Sequence, residues 1–163
     1  LQINLFTAFT AAAAVGLFED IIASYTALAI LLPVVAGQSG NTGAQALAVV
    51  MRGLALRAIG LAQSRRVLRK EFQVGLINGL GAAVTTGLAV YLWSRSAGLM
   101  LIIVLAMVSS MALAGIAGAS VPLMLTRLVQ DPAQSSSIIL TTITDIAGFF
   151  SFLGIASLLM WTL

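Results

Sequence analysis

The stretch IILTTITDIAGFFSFLGIASLLMWTL, from Ile138 to Leu163, decides the fold class of this chain. It is largely apolar, it is long enough to cross a bilayer as a helix, and its one charged residue is Asp145. A carboxylate at membrane depth costs at least ~2.5–3.5 kcal/mol. We therefore expect Asp145 to face a bundle interior or a water-filled path, where it meets a cation or a partner.

The composition of the whole chain indicates an integral membrane protein. Of its 163 residues, 60% are hydrophobic and 8% are charged, with a mean hydropathy of +1.10; a soluble domain carries roughly 25% charged residues. The few charges also argue against a nucleic-acid-binding protein. Because the chain has no His and no Cys, thiolate and imidazole metal sites are excluded, and the oxygen ligands that remain suit Mg²⁺ and Ca²⁺. General acid–base chemistry also lacks its usual groups, so we do not expect an enzyme.

Hydropathy predicts an all-α membrane protein with five transmembrane helices, because backbone hydrogen bonds cannot stay open in lipid. The predicted ranges are Ile3 to Leu17, Ile21 to Ile59, Phe72 to Trp93, Gly98 to Leu128 and Ala133 to Trp161. Residues 1–163 are expected to form a single transmembrane domain. Since the chain starts at Leu1 without a Met or a recognisable signal peptide, we expect it to be a fragment of a longer protein.

A cluster of basic residues predicts the orientation in the plasma (inner) membrane. Six of them lie at or near the connection between the second and third helices: Arg52, Arg57, Arg65, Arg66, Arg69 and Lys70. Positive residues stay on the cytoplasmic side, which places the N-terminus inside and the C-terminus outside. Binding of lipid headgroups is a second possible role of the cluster.

The second predicted helix has a polar, glycine-rich centre, GQSGNTGAQ, from Gly37 to Gln45. Asn41 and Gln45 are four residues apart, so their amides share one face of a helix. Glycines allow either close helix contact or an unwound turn. So many polar groups in one membrane helix favour a pore-lining role for Gly40, Asn41 and Gln45; the alternative is small-residue packing with amide hydrogen bonds between helices.

The fifth predicted helix carries a second polar stripe at spacings of three and four residues. It consists of Ser137, Thr141, Thr144, Asp145 and Gly148. Thr141 lies one turn before Asp145, so its carbonyl and hydroxyl oxygens are expected near the carboxylate. This stripe is an oxygen-rich candidate for a cation site. The alternative is a buried Asp145 that is neutralised by a proton or bonded to a neighbouring amide.

Weaker signals lie elsewhere in the chain. Gly75 and Gly79, with Asn78 beside them, predict close helix packing. Glu71 precedes the third predicted helix, where it can pair with a basic loop residue or lie near the inner mouth of a pore. Asp131-Pro132 predicts the start of the fifth helix, with Asp131 as its cap.

Taken together, these motifs resemble the MgtE magnesium channels. The segments that carry the resemblance are Pro33 to Gly37, Gly40 to Gln45 and Val50 to Leu56, followed in the family's order by Glu71, Val121-Pro122, Asp131 to Ala133 and Thr141 to Asp145. The resemblance covers essentially the whole chain. It departs from the family pattern at Gln38-Ser39, where small residues, mostly glycine, are expected.

The resemblance implies a homodimer whose pore lies on the two-fold axis and is lined by helices two and five. It implies that Asp145 is the pore carboxylate and that the Thr141 carbonyl helps to hold hydrated Mg²⁺, the transported and bound ion. Full-length members usually carry cytoplasmic N and CBS domains that sense Mg²⁺, and these are the implied upstream partners.

The predicted function is conduction of Mg²⁺ into the cytoplasm. Two alternatives are a secondary carrier that exchanges a divalent cation for Na⁺ or H⁺ and a membrane anchor without a transport role. Mn²⁺, Co²⁺, Ni²⁺ and Ca²⁺ stay open as further cargo.

Overall fold

The computed structural model describes residues 2–128 and 132–163, and this part of the chain is helical apart from short connections and contains no strand. The six helices are α1 (Gln2–Gly16), α2 (Glu19–Ser24), α3 (Thr26–Ala55), α4 (Ser64–Ser94), α5 (Ala97–Arg127) and α6 (Pro132–Leu158). Short 3₁₀ turns at Leu61–Gln63 and Met160–Thr162 precede α4 and follow α6. The predicted all-α class is confirmed.

The ends of two helices differ from the prediction. The predicted second helix is divided into α2 and α3, because Tyr25 leaves the helical conformation with φ −133° and ψ 83°. The third begins at Ser64 instead of Phe72, so the basic residues 65–70 lie in the first turns of α4 and not in a loop. The fifth begins at Pro132, one residue before the predicted range but at the proline that was predicted as its first helical position, and it ends at Leu158 instead of Trp161. Its predicted cap, Asp131, lies outside the described residues.

By length and composition, three of the described helical segments can cross a membrane: Leu61–Ser94, Ala97–Arg127 and Ser136–Leu158. α1 is apolar but has 15 residues, fewer than a span normally needs. α3 has 30 residues, but its polar centre interrupts the apolar run. The arrangement of five spans therefore stays a prediction.

α5 lies at the centre of the chain and packs against α3, α4 and α6, whereas α4 hardly touches α3 and α1 packs on α6. It is apolar on all sides, as expected of a helix that is surrounded by others. Fully buried side chains of the core include Leu28, Ile102, Met107, Phe152 and Leu153.

Glycines bring these helices into backbone contact. A Cβ atom at Gly75 would lie 2.5 Å from the carbonyl oxygen of Met111, and one at Gly79 would lie 3.0 Å from the Cα of Val108. The predicted close packing of Gly75 and Gly79 is therefore confirmed, with α5 as the partner. Where α3 crosses α5, a Cβ at Gly118 would collide with the carbonyl oxygen of Gly43.

Candidate cation site

Asp145 lines a small cleft between α1 and α6. Thr141 and Thr142 of α6 and Asn4 and Thr7 of α1 form its polar walls, and its volume is about 40 Å³. Asp145 itself is half-buried. Among the residues that the structure describes, its carboxylate has no hydrogen-bond or ion-pair partner. A carboxylate so placed in an apolar helix is available to a cation or to water.

The hydroxyl groups near Asp145 donate their protons to the backbone of α6. The Thr141 hydroxyl donates to the Ser137 carbonyl at 2.9 Å, and the Thr142 hydroxyl donates to the Ile138 carbonyl, also at 2.9 Å. A hydroxyl that has donated its proton still has lone pairs with which it can accept a hydrogen bond or bind a cation. The cleft is therefore richer in acceptors than in donors, which suits a hydrated cation.

Two other residues of the predicted stripe, Thr144 and Gly148, are buried against α3. Thr144 is 1% exposed, and its carbonyl lies 3.4 Å from the Ser39 hydroxyl, whose single proton is shared with the nearer Ala36 carbonyl at 3.0 Å. A Cβ at Gly148 would lie 3.1 Å from the same hydroxyl oxygen. Within one chain these two residues thus hold α6 against α3, while Ser137 is exposed. Their predicted place on a pore formed by two chains stays a prediction.

The carbonyl of Thr141 has a partner within α6. It accepts a hydrogen bond from the Thr144 hydroxyl at 3.1 Å. The Thr141 hydroxyl oxygen is the freer of its two oxygens, because it borders the cleft with its proton already donated. The use of the carbonyl by an ion, which the family resemblance implies, stays a prediction.

The polar centre of α3 is a regular helix, so the unwound turn that its glycines would allow does not form. Asn41 and Gln45 are both exposed, and with Gln38 they line a groove of about 730 Å³ between α3 and α4. This confirms that the two amides share one face. Gly40, which is partly exposed, has open space where a Cβ would stand. The groove has no lining residue in common with the Asp145 cleft.

The sequence alone did not point to several polar residues of the Asp145 cleft and of the groove between α3 and α4. Asn4 and Thr7 face Asp145 from α1; their spacing of three residues in an apolar helix was the available signal. Asn78 lies in the α3–α4 groove, while the glycines beside it pack on α5. Glu71 is 5% exposed. Within the described ranges no basic side chain lies within ion-pair distance of it, although the charge of the neighbouring Lys70 acts on it. The alternative place near the inner mouth of a pore stays a prediction.

The described residues contain no group of three or more acidic, His or Cys side chains that could enclose a metal ion. The candidate ligands around Asp145 are one carboxylate and several neutral oxygens. Such a sparse set fits an ion that keeps most of its water, as Mg²⁺ usually does in proteins.

Comparison with known proteins gives a consistent result. The family model MgtE, described as a divalent cation transporter, matches residues 32–155. Similar proteins are the magnesium transporters MgtE of three bacteria. The protein of Thermus thermophilus is 36% identical over 88% of this chain and 32% of the relative. Those of Bacillus subtilis and Enterococcus faecalis are 30% and 29% identical over 96% of this chain, which is 35% and 34% of the respective relative. The chain thus spans about a third of the length of the curated relatives it matches.

Proposed function

This chain belongs to the MgtE family of divalent cation transporters, and from that premise we propose that it forms the membrane pathway for hydrated Mg²⁺. The relatives are named as magnesium transporters, which supports Mg²⁺ as the cargo and transport as the activity. The observation that carries the proposal is the carboxylate of Asp145: it has no partner among the described residues, and it borders a cleft walled by hydroxyl and amide groups.

The chemistry of Mg²⁺ explains why one carboxylate per chain is enough. Mg²⁺ dehydrates reluctantly, and it is usually bound by one or two carboxylates while it keeps several waters. Asp145 supplies the charge, and the oxygens of Thr141 accept hydrogen bonds from the water shell. Because conduction requires that the ion also leave, such water-mediated contacts suit a pathway better than a closed cage does.

The complete pathway in this proposal needs a second copy of the chain. A two-fold axis presents the same residue twice, so two Asp145 carboxylates face one dication. α3 and α6 line the pore, which brings Gly40, Asn41 and Gln45 to its wall beside Ser137. Thr144 and Gly148, which are buried between α3 and α6 of one chain, support this wall from behind. The exposure of Asn41 and Gln45 on a single chain supports this arrangement, because polar groups in a membrane require protein or water around them.

The membrane potential supplies the driving force. Each charge gains about 2.3 kcal/mol per 100 mV, so a dication gains about twice that on entering a negative cytoplasm. Influx then needs no exchanged ion, which favours a channel over a carrier.

The proposed domain has five spans in the plasma (inner) membrane, α1, α3, α4, α5 and α6, with the N-terminus inside and the C-terminus outside. Cytoplasmic regulatory domains would precede it in the full-length protein.

The test is Mg²⁺ flux into proteoliposomes under an imposed inside-negative potential, followed with an enclosed Mg²⁺-sensitive dye. We expect Asp145→Ala to abolish Mg²⁺ flux while the purified protein keeps the size of the unmodified protein in detergent. Glu19→Gln removes a carboxylate from the exposed first turn of α2 and serves as the matched control, with flux retained.

Persistence of selective Mg²⁺ flux in the Asp145→Ala variant would refute the assignment. If flux requires a Na⁺ or H⁺ gradient and the membrane potential alone drives none, the protein is a carrier that exchanges ions and not a channel.

A further inference from the structure

A second carboxylate, that of Glu71, lies inside the chain on α4. Glu71 is 5% exposed, and within the described parts of the chain no side chain lies within hydrogen-bond or ion-pair distance of it, although the charge of Lys70, the preceding residue, acts on it. The carboxylate oxygens of Glu71 are not fully closed off, since no fully buried side-chain oxygen among the described residues lacks a hydrogen-bond partner. A cation or water can therefore reach them. None of the residues lining the Asp145 cleft borders the cavity at Glu71.

Close packing of α4 on α5 fixes the backbone at Glu71. A Cβ atom at Gly115 would lie 2.5 Å from the carbonyl oxygen of Glu71, and one turn further along α4 a Cβ at Gly75 would lie 2.5 Å from the carbonyl oxygen of Met111. α4 therefore cannot rotate or move away from α5 without losing this contact. The Glu71 side chain borders a partly open cavity of about 110 Å³ between α3, α4 and α5.

Apolar residues and glycines form much of the wall of this cavity, and neutral polar side chains line the part of it around Glu71. Gln45 and Thr42 line it from α3, and Asn78 lines it from α4. The Thr42 hydroxyl donates its proton to the Gln38 carbonyl at 3.0 Å, so its oxygen is left as an acceptor. Within the described residues, the amide groups of Gln45 and Asn78 have no hydrogen-bond partner. One carboxylate and three neutral oxygens, with no nitrogen or sulfur ligand, match the preference of a hard dication.

The size of the cavity and its access fit a partly hydrated ion. The volume exceeds the roughly 10–15 Å³ that one water molecule needs, so the cavity has room for an ion together with water. Thr42, Gln45 and Asn78 also line the wide groove between α3 and α4, which gives an ion a route in from outside the chain.

From this geometry we propose that Glu71, Gln45, Asn78 and Thr42 form a second binding site for a divalent cation, separate from Asp145. The site does not depend on whether Asp145 lines the pore, because its ligands come from α3 and α4 of one chain. It shares only Gln45 with the residues assigned to the pore.

The test counts Mn²⁺ ions bound to the purified full chain, with the EPR signal of free Mn²⁺ as the readout. In an Asp145→Asn background we expect one saturable Mn²⁺ per chain, and we expect Glu71→Gln to remove it. Asp145→Asn combined with Glu19→Gln, which neutralises an exposed carboxylate, should keep it. If Asp145→Asn alone binds no Mn²⁺, or if the count is unchanged after Glu71→Gln, the second site does not exist.

A second variant guards against a folding defect at the buried position. Asn78 is exposed at the rim of the cavity, so Asn78→Leu does not disturb the core. In the Asp145→Asn background it should weaken Mn²⁺ binding about 10- to 100-fold, as the loss of a supporting group at a metal site does. Gln73→Leu, at an exposed position of α4 that borders neither cavity, should leave the affinity unchanged. Equal affinities in these two variants would rule out the proposed ligand set.

The two proposals can fail separately. If Glu71→Gln removes the bound Mn²⁺ while Asp145→Ala leaves Mg²⁺ flux normal, the second site is supported and the Asp145 pathway is not. If Glu71→Gln does not reduce the number of bound Mn²⁺ ions while Asp145→Ala abolishes flux, the Asp145 pathway stands and the second site does not exist.

Discussion

At the scale of single residues, the environment of Asp145 differs from that of an ordinary buried carboxylate. A structural acid in a helical bundle is normally held by an amide, a hydroxyl proton or a basic side chain. Here the neighbouring hydroxyls of Thr141 and Thr142 donate to the α6 backbone. The carboxylate is thus left for a ligand from outside the described residues, and a hydrated cation has the matching charge.

The Thr141 hydroxyl provides the first prediction at this scale. Thr141→Val removes one oxygen acceptor from the cleft with little change in volume. We expect the Mg²⁺ concentration for half-maximal flux to rise about two- to tenfold, which corresponds to the ~0.5–1.5 kcal/mol of one hydrogen bond. The measurement is the Mg²⁺ dependence of flux into proteoliposomes.

The matched control for Thr141 is Thr85→Val. The Thr85 hydroxyl makes a similar bond to its own helix, to the Ala82 carbonyl at 3.0 Å, but it lies on an exposed face of α4 away from the cleft. Half-maximal flux should not change in this variant. Identical behaviour of the two valine variants would remove Thr141 from the ion-binding group.

Some features of the site could be predicted from residues alone, and others could not. A lone carboxylate in an apolar run indicated Asp145 as the candidate ion ligand, which stays a prediction, and a spacing of four residues correctly placed Asn41 and Gln45 on one face. The partners Asn4 and Thr7 were beyond such reasoning, because the periodicity of a helix gives the direction of a face but not the helix that it meets. Glu71 was expected just before the third helix, either paired with a basic loop residue or near the inner mouth of a pore. α4 starts two turns earlier than predicted, and Glu71 is buried on it.

At the scale of helices, the glycines of the polar centre of α3 have different roles. Gly43 is in close contact with α5 and α6, since a Cβ there would lie 2.9 Å from the Cγ2 of Thr144. Gly37 and Gly40 have open space around them. The sequence predicted that glycines would allow close contact or unwinding; the structure shows contact at Gly43 and a regular helix throughout.

The crossing of α3 and α5 provides a prediction about stability. Gly118→Ala would force a methyl group against the Gly43 carbonyl and the Ala46 Cβ. Overpacking of this kind typically costs about 1–3 kcal/mol, so the melting temperature of the purified protein in detergent should fall. Gly37→Ala adds the same methyl group where nothing lies within 4 Å, and it should not lower the melting temperature. Equal melting temperatures of the two variants would mean that α3 and α5 are not in close backbone contact at Gly118.

Helix ends mark a limit of sequence reasoning at this scale. Glu19 and Asp20 lie between the predicted first and second helices, Ile3 to Leu17 and Ile21 to Ile59, yet they form the acidic first turn of α2, where negative charge is favourable at a helix N-terminus. The break at Tyr25 has no Gly or Pro beside it, so no local signal announced it. By contrast, the predicted start of the last helix at Pro132 is confirmed, because proline is favoured at the first helical position.

At the scale of the whole molecule, the described surface of one chain leaves polar groups exposed that a lipid environment would not accept. Gln38, Asn41, Gln45 and Asn78 all lie along the groove between α3 and α4. Lipid cannot satisfy these amides, whereas water or a second chain can. The all-α class followed from composition. An assembly of two chains cannot be read from composition, since it depends on a surface that only the packed helices create.

The most direct test of the central claim is to locate a cation between two copies of Asp145. We expect Mn²⁺-soaked crystals of the full chain in lipid to give an anomalous peak on a two-fold axis, with both Asp145 carboxylates facing it through water. An Asp145 side chain that points into lipid, or that lies far from its copy in the partner subunit with no peak between them, would contradict the account.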